Sequence, residues 1–122
     1  MVRSPPHPQH PGSQEILLLE AISGKWTALI VQTLAENTLR HGELQRAIGG
    51  ISQKVLTQTL RNLERNGVVT RAVYPVVPPQ VEYSLTPLGH SLAGLLGDLC
   101  VWADEHNGDA QTAREKYDTR NS

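Results

Sequence analysis

The chain contains no phenylalanine, and aromatic residues make up only 4% of its 122 positions. Its core must therefore be built mostly from Leu, Ile, Val and Ala, which favours helices. A single cysteine, Cys100, excludes an intrachain disulfide and a thiolate zinc cluster, leaving open only a bridge between two copies. That usage suits a reducing, cytoplasmic compartment. No apolar run approaches the roughly 20 residues of a membrane span, so no membrane association is expected. The stretch Met1–Ser13 lacks the apolar centre of a signal peptide. Also missing are a nucleophile–base pair, a phosphate-cradling glycine loop and paired carboxylates in a catalytic setting, so no enzyme, metal or cofactor is expected. His41 and His90 have no carboxylate or cysteine at ligand spacing, and His7 and His10 read as solvated residues of a proline-rich arm.

The net charge is −1, which disfavours a nucleic-acid binder until its distribution is considered. Residues 1–39 carry −1, residues 40–80 carry +4 and residues 81–122 carry −4. Positive charge thus gathers in the middle third. At its centre lies Ile51–Asn66, ISQKVLTQTLRNLERN, where Val55, Leu56, Thr59, Leu60 and Leu63 form one helical stripe. The opposite face carries Gln53, Lys54, Thr57, Gln58, Arg61, Asn62 and Arg65, all able to donate hydrogen bonds. Ser52 is a good N-cap and Gly67 a good C′ residue. Fifteen helical residues span about 22 Å, enough to lie in a DNA major groove. On this stretch alone, an amphipathic helix with a solvated outer face explains the pattern equally well.

In chain order, Met1–Gly12 has four prolines and reads as a disordered arm. Ser13 is expected to cap a helix over Gln14–Ile22 that is apolar nearly all round, hence buried on more than one side, the second side by another subunit. Lys25–Ala35 places Trp26, Leu29, Ile30 and Leu34 on one face, with Trp26 read as core packing rather than ligand stacking. Leu39–His41 has room for a very short strand. Gly42 introduces a short helix, Glu43–Ile48, with Leu44, Ala47 and Ile48 inward. Gly49-Gly50 then turns into Ile51–Asn66, a helix-turn-helix pattern.

Val68–Tyr74 and Gln80–Leu85 read as antiparallel strands. The loop Pro75-Val76-Val77-Pro78-Pro79 between them cannot form a ladder, because each proline lacks an N–H. A stiff loop at a hairpin tip is a wing. Thr86-Pro87 caps a last helix, from Leu88 to about Glu105, with Leu88, Leu92, Leu95, Leu96, Leu99 and Trp102 on a broad face. Gly89, Gly94 and Gly97 within it suggest close approach of another helix, as at a dimer interface. Asn107-Gly108 is expected to end the helix, leaving a polar tail over 107–122. The expected organisation is an arm over 1–12, one domain over 13–106 and that tail.

Gly24-Lys25-Trp26-Thr27, Gly50-Ile51-Ser52 with Lys54-Val55-Leu56, and Leu60 through Leu63-Glu64 to Asn66-Gly67-Val68-Val69 resemble the HxlR family. Val73-Tyr74-Pro75 with Val77-Pro78-Pro79, and Val81-Glu82-Tyr83-Ser84-Leu85-Thr86 with Leu88-Gly89, extend the match across roughly residues 14–103. The resemblance implies a mainly α fold with a small β-hairpin: a winged helix-turn-helix with extra N- and C-terminal dimerisation helices. It further implies a bacterial transcription regulator acting as a homodimer on double-stranded DNA. Ile51–Asn66 would be its recognition helix and Tyr74–Gln80 its wing. One departure stands out. Many members begin their first helix with Cys-Pro, and here that position is Ser13 followed by Gln14. The thiol by which some relatives sense oxidants is therefore absent.

Candidate base-reading residues are Gln53, Lys54, Thr57, Gln58 and Arg61. Arg40, Arg46, Arg65, Arg71 and Gln80 are candidates for phosphate, with solvent the alternative for Arg46 and Arg65. Ile16 and Leu17 with Leu92, Leu95, Leu96, Leu99 and Trp102 are candidates for a dimer interface. Cys100 is expected to be a buried, inert thiol near that interface. Two other readings stay open. One is a ligand- or redox-responsive form of the same regulator, its unidentified small-molecule effector lying between the terminal helices and the winged core. The other is a protein–protein module that binds no DNA.

Overall fold

The computed structural model describes residues 12–121, so the expected disorder of the arm lies almost wholly outside the described residues. The elements are α1 Ser13–Ile22, α2 Lys25–Glu36, β1 Leu39–Arg40, α3 His41–Ile48, α4 Gln53–Arg65, β2 Val69–Tyr74, β3 Gln80–Leu85 and α5 Pro87–Arg120. The three strands form an antiparallel sheet in the order β1-β3-β2. Its register runs from Val69 opposite Leu85 to Tyr74 opposite Gln80, with Leu39 opposite Tyr83 on the other edge.

The core is aliphatic, as a sequence without phenylalanine requires. Ile30, Val31 and Leu34 of α2 meet Leu44 of α3, then Leu56, Leu60 and Leu63 of α4, and Ile51, Val68, Val69 and Leu85 close it. Each such leucine contributes about 1.5–3 kcal/mol by leaving water. Together they fix α4 on one side and leave its other side to solvent. Trp26 packs against this core as expected, and the Lys25 ammonium lies 4.5 Å from its ring centroid. Leu29 and Ala47, expected to point inward, are exposed, because the buried stripes run through Thr27, Ile30, Val31 and Leu34 on α2 and through Leu44 alone on α3.

Several boundaries differ from the sequence reading. Ser13 is the first residue of α1, with Gly12 as its N-cap and the Gly12 carbonyl accepting from Ile16 N–H. In this single chain α1 has no buried residue, rather than being buried on several sides: Ile16, Leu17, Leu18 and Leu19 are all exposed. Helix α3 begins at His41 because Glu43 accepts from the Arg40 N–H at 2.9 Å, which starts the helix ahead of Gly42.

The Asn107-Gly108 pair does not end α5, which continues to Arg120. A pair with poor helix propensity costs on the order of 1–2 kcal/mol, but an already nucleated helix propagates through it. Beyond it lie helix-favouring residues such as Ala110, Ala113, Arg114 and Lys116, and the Gln111 amide reaches the Glu115 carboxylate at 3.4 Å. At the other end, Thr86 caps α5 by accepting from Gly89 N–H at 3.0 Å and donating to the Gly67 carbonyl.

Gly89, Gly94 and Gly97, expected to mark close approach of another helix, have different settings. Gly89 is buried, and a Cβ there would collide with the Val68 carbonyl oxygen of the same chain. Gly97 leaves room near the Gln32 amide, which donates to Ala93 O at 3.0 Å and clamps α2 to α5. Gly94 faces open space. Close approach at Gly89 is therefore within one chain rather than across a dimer interface.

Candidate nucleic-acid interface

The unit α3–turn–α4 is assembled by local bonds. Gly49 and Gly50 carry the chain through the turn, and the Gln45 amide donates to Ile51 O at 3.1 Å, tying the turn back to α3. Ser52 then caps α4 by accepting from Val55 N–H at 3.1 Å. The far end closes as a Schellman motif. Val68 N–H bonds Leu63 O at 2.9 Å and Gly67 N–H bonds Glu64 O at 3.0 Å, while Gly67 takes the φ of 75° that favours glycine. Both ends of α4 are thus fixed independently of any ligand.

Along α4 the residues Gln53, Lys54, Thr57, Gln58, Arg61 and Arg65 fall within about 140° of arc, opposite Leu56, Leu60 and Leu63. Gln53, Lys54, Gln58, Arg61 and Arg65 are exposed. Thr57 is half-buried, its hydroxyl 3.1 Å from His41 Nε2 on α3. The face is not purely basic: Glu64 is exposed on it and lies 3.9 Å from Arg71 Nε on β2. Arg71 therefore stands at the base of the hairpin, bridging towards α4. Arg40 and Arg46 are exposed on β1 and α3.

The hairpin loop is a projecting, apolar tip. Val77 is fully exposed, Val76 N–H bonds Tyr74 O at 2.9 Å, and the Val77–Pro78 peptide is cis. Gln80 is half-buried at the start of β3 opposite Tyr74. Tyr83 packs against the core, whereas Tyr74 is exposed. The cations expected for phosphate are thus spread over β1, α3, α4 and β2, and the loop itself carries none.

The candidate dimer residues split into two groups. Ile16 and Leu17 on α1, and Leu95, Leu99 and Trp102 on α5, are exposed. Leu92 and Leu96 instead pack against the chain's own core. With Leu19, Ile22, Ser23, Gly24, Ala28 and Leu99 they line an apolar cleft of about 390 Å³. Cys100 is exposed, not buried, because α5 leaves the core on that side; the thiol projects to solvent.

His41, Asn62 and Glu64, to which the sequence assigns no site role, take part in this geometry. His41 holds Thr57, Asn62 donates to Ala21 O at 3.2 Å, and Glu64 faces Arg71. The charge alternation around α4 contained Glu64 as a signal. No spacing rule links His41 to Thr57 or Asn62 to Ala21, because both contacts arise from tertiary packing.

A family model described as an HxlR-like helix-turn-helix matches residues 21–111. An HTH-type transcriptional regulator of Methanothermobacter thermautotrophicus is 44% identical over 95 residues, covering 78% of this chain and 72% of that protein. Among solved structures, the transcriptional regulator ytfH from Salmonella typhimurium superposes with a TM-score of 0.75 at 39% identity, covering 83% of this chain and 90% of that one. The redox regulator HypR in its reduced form gives a TM-score of 0.74 at 34% identity, covering 82% and 99%.

Proposed function

Since this chain belongs to the HxlR-like helix-turn-helix family of transcriptional regulators, and is no enzyme, we propose that it is a homodimer that binds double-stranded DNA sequence-specifically. Ile51–Asn66 enters the major groove as the recognition helix, and Tyr74–Gln80 is the wing against flanking backbone. The observation that carries this reading is α4 itself: capped at both ends, buried on one side, and presenting Lys54, Gln58 and Arg61 on the other. Gln53, Lys54, Thr57, Gln58 and Arg61 read base edges; Arg40, Arg46, Arg65, Arg71 and Gln80 hold phosphates. Residues 13–106 make up the DNA-binding domain, and a cytoplasmic location follows from that role. No single described helix is long and apolar enough to cross a membrane.

The second subunit covers the exposed apolar residues of α1 and α5. It places two α4 helices on half-sites one or more helical turns apart. The cleft between α1, α2 and α5, whose lining is almost entirely hydrocarbon, is the place suited to an apolar effector.

Binding to a duplex from upstream of the gene, followed by fluorescence anisotropy, tests the proposal. Affinity is expected to fall steeply with salt, since phosphate contacts release counterions. Arg61→Ala is expected to weaken binding to the preferred sequence and relax base preference, a loss of about 1–3 kcal/mol. Equal losses on preferred and random DNA would refute the base-reading role of Arg61. Salt-independent affinity would count against the electrostatic surface as a whole. A protein that binds no duplex leaves the protein–protein reading in its place.

A further inference from the structure

We infer that His41 is a positioning residue for sequence discrimination, acting through Thr57; the inference rests on α4 being the base-reading helix. Thr57 lies at the centre of the proposed reading face, one turn from both Lys54 and Arg61 and adjacent to Gln58. A threonine inside a helix commonly turns its hydroxyl back to the carbonyl four residues earlier. Thr59 and Thr33 do so, donating to Val55 O and to Leu29 O, each at 2.7 Å. Thr57 differs. Its hydroxyl is turned across the helix pair to His41 Nε2 at 3.1 Å, in a half-buried setting.

The difference matters because threonine is branched at Cβ. One torsion places both the hydroxyl and the γ-methyl, so fixing one fixes the other. The contact with His41 therefore selects which surface Thr57 offers to a base pair. The methyl suits the thymine C5-methyl, while the hydroxyl has further donor or acceptor capacity for a base edge. Without His41 the hydroxyl is free to return to the Gln53 carbonyl, as Thr59 and Thr33 do with theirs, and the methyl turns with it. His41 itself remains on α3, outside the arc of base-reading residues. Its effect is confined to the base pair that Thr57 faces.

The test selects preferred sites from a random duplex pool with the wild type, then measures affinity for every single-base-pair variant of the best site. His41→Phe keeps a ring of similar size and removes the hydrogen bond. Thr57→Val removes the hydroxyl and keeps the branch. His41→Phe is expected to change discrimination at one base pair by about three- to tenfold, the reach of one hydrogen bond, and to leave other positions unaltered. In the double variant its effect at that pair should vanish, since it acts through the hydroxyl Thr57 has lost. His41→Gln, which retains a polar partner, should restore much of the wild-type preference. The inference is overturned if His41→Phe weakens all sequences evenly, if its effect adds to that of Thr57→Val, or if preference is unchanged. A wild type with no sequence preference would remove the base-reading assignment of α4 and this inference with it. Unchanged preference in His41→Phe removes the inference alone.

Discussion

The Asn62 amide donates to the Ala21 carbonyl at 3.2 Å, joining the C-terminal part of α4 to the end of α1. Ala21 lies in the last turn of α1, where carbonyls have no partner within their own helix. The same asparagine's carbonyls are engaged by Asn66, whose amide reaches Asn62 O at 2.8 Å. The helix proposed to contact a second subunit is thereby tied to the helix proposed to read DNA. Asn62→Ala is expected to cost about 1 kcal/mol of stability, one half-buried hydrogen bond. A lower denaturant midpoint with an unchanged m-value would show it, and an unchanged midpoint would show that water replaces the amide without loss.

The glycines of α5 give a paired prediction. Gly89→Ala drives a methyl into the Val68 carbonyl and against Leu85, so backbone must move. Overpacking of that kind costs about 1–3 kcal/mol, and a lower melting temperature should report it. Gly94→Ala adds a methyl in open space inside a helix. Taken alone the chain gains up to about 1 kcal/mol. A destabilised Gly94→Ala protein, with weaker self-association, would instead place a partner against that position.

What could be read beforehand depended on whether a contact is local in sequence. The Ser52 cap, the Gly67 turn, the Thr86-Pro87 start and the β2–β3 pairing were legible because each depends on residues a few positions apart or on simple alternation. The winged arrangement followed from their order. The end of α5 was misread because Asn107-Gly108 is a local stop signal overridden by propagation from both sides. Cys100, expected to be buried near a dimer interface, is exposed in the single chain because it lies off the leucine seam of α5. His41–Thr57 and Asn62–Ala21 span 16 and 41 residues and depend on side-chain direction after packing, which no periodicity encodes.

Glu64 and Arg71 make an exposed pair 3.9 Å apart, with both side chains over 40% accessible. Such a pair contributes little to stability, at most about 1 kcal/mol. Its greater effect is expected on the proposed DNA binding, where Glu64 would compete with phosphate for Arg71 and repel the backbone. Glu64→Gln is expected to tighten binding to all sequences at low salt. Arg71→Ala should weaken binding uniformly and reduce the slope of log affinity against log salt by about 1. Sequence-dependent losses for Arg71→Ala would move it from phosphate contact to base reading.

Cys100 is exposed, and it is the one cysteine of the sequence. A lone thiol has no second cysteine in its own chain with which to form a disulfide. Treatment with diamide is therefore expected to leave DNA affinity unchanged in both the wild type and Cys100→Ser. A loss of affinity in the wild type that Cys100→Ser abolishes would establish thiol sensing through a bridge between subunits or to a small thiol. A non-reducing gel separates those two products.

Leu95 and Leu99 are 67% and 59% exposed on α5, with Trp102 one turn further on and the α1 leucines also uncovered. Apolar side chains aligned in this way gain about 1.5–3 kcal/mol each when a partner removes them from water. Paired glutamates placed there would instead have to be desolvated. Sedimentation is expected to find the wild type dimeric and the Leu95→Glu/Leu99→Glu double variant monomeric. Its circular dichroism should be unchanged, because neither leucine belongs to the chain's own buried core. Affinity for a two-half-site duplex should fall by about 10²-fold or more, as the second half-site no longer benefits from effective concentration. A single half-site should bind both proteins alike. A double variant that stays dimeric would move the interface elsewhere on the chain, and equal losses on one and two half-sites would mean that α5 acts on α4 rather than through a second subunit.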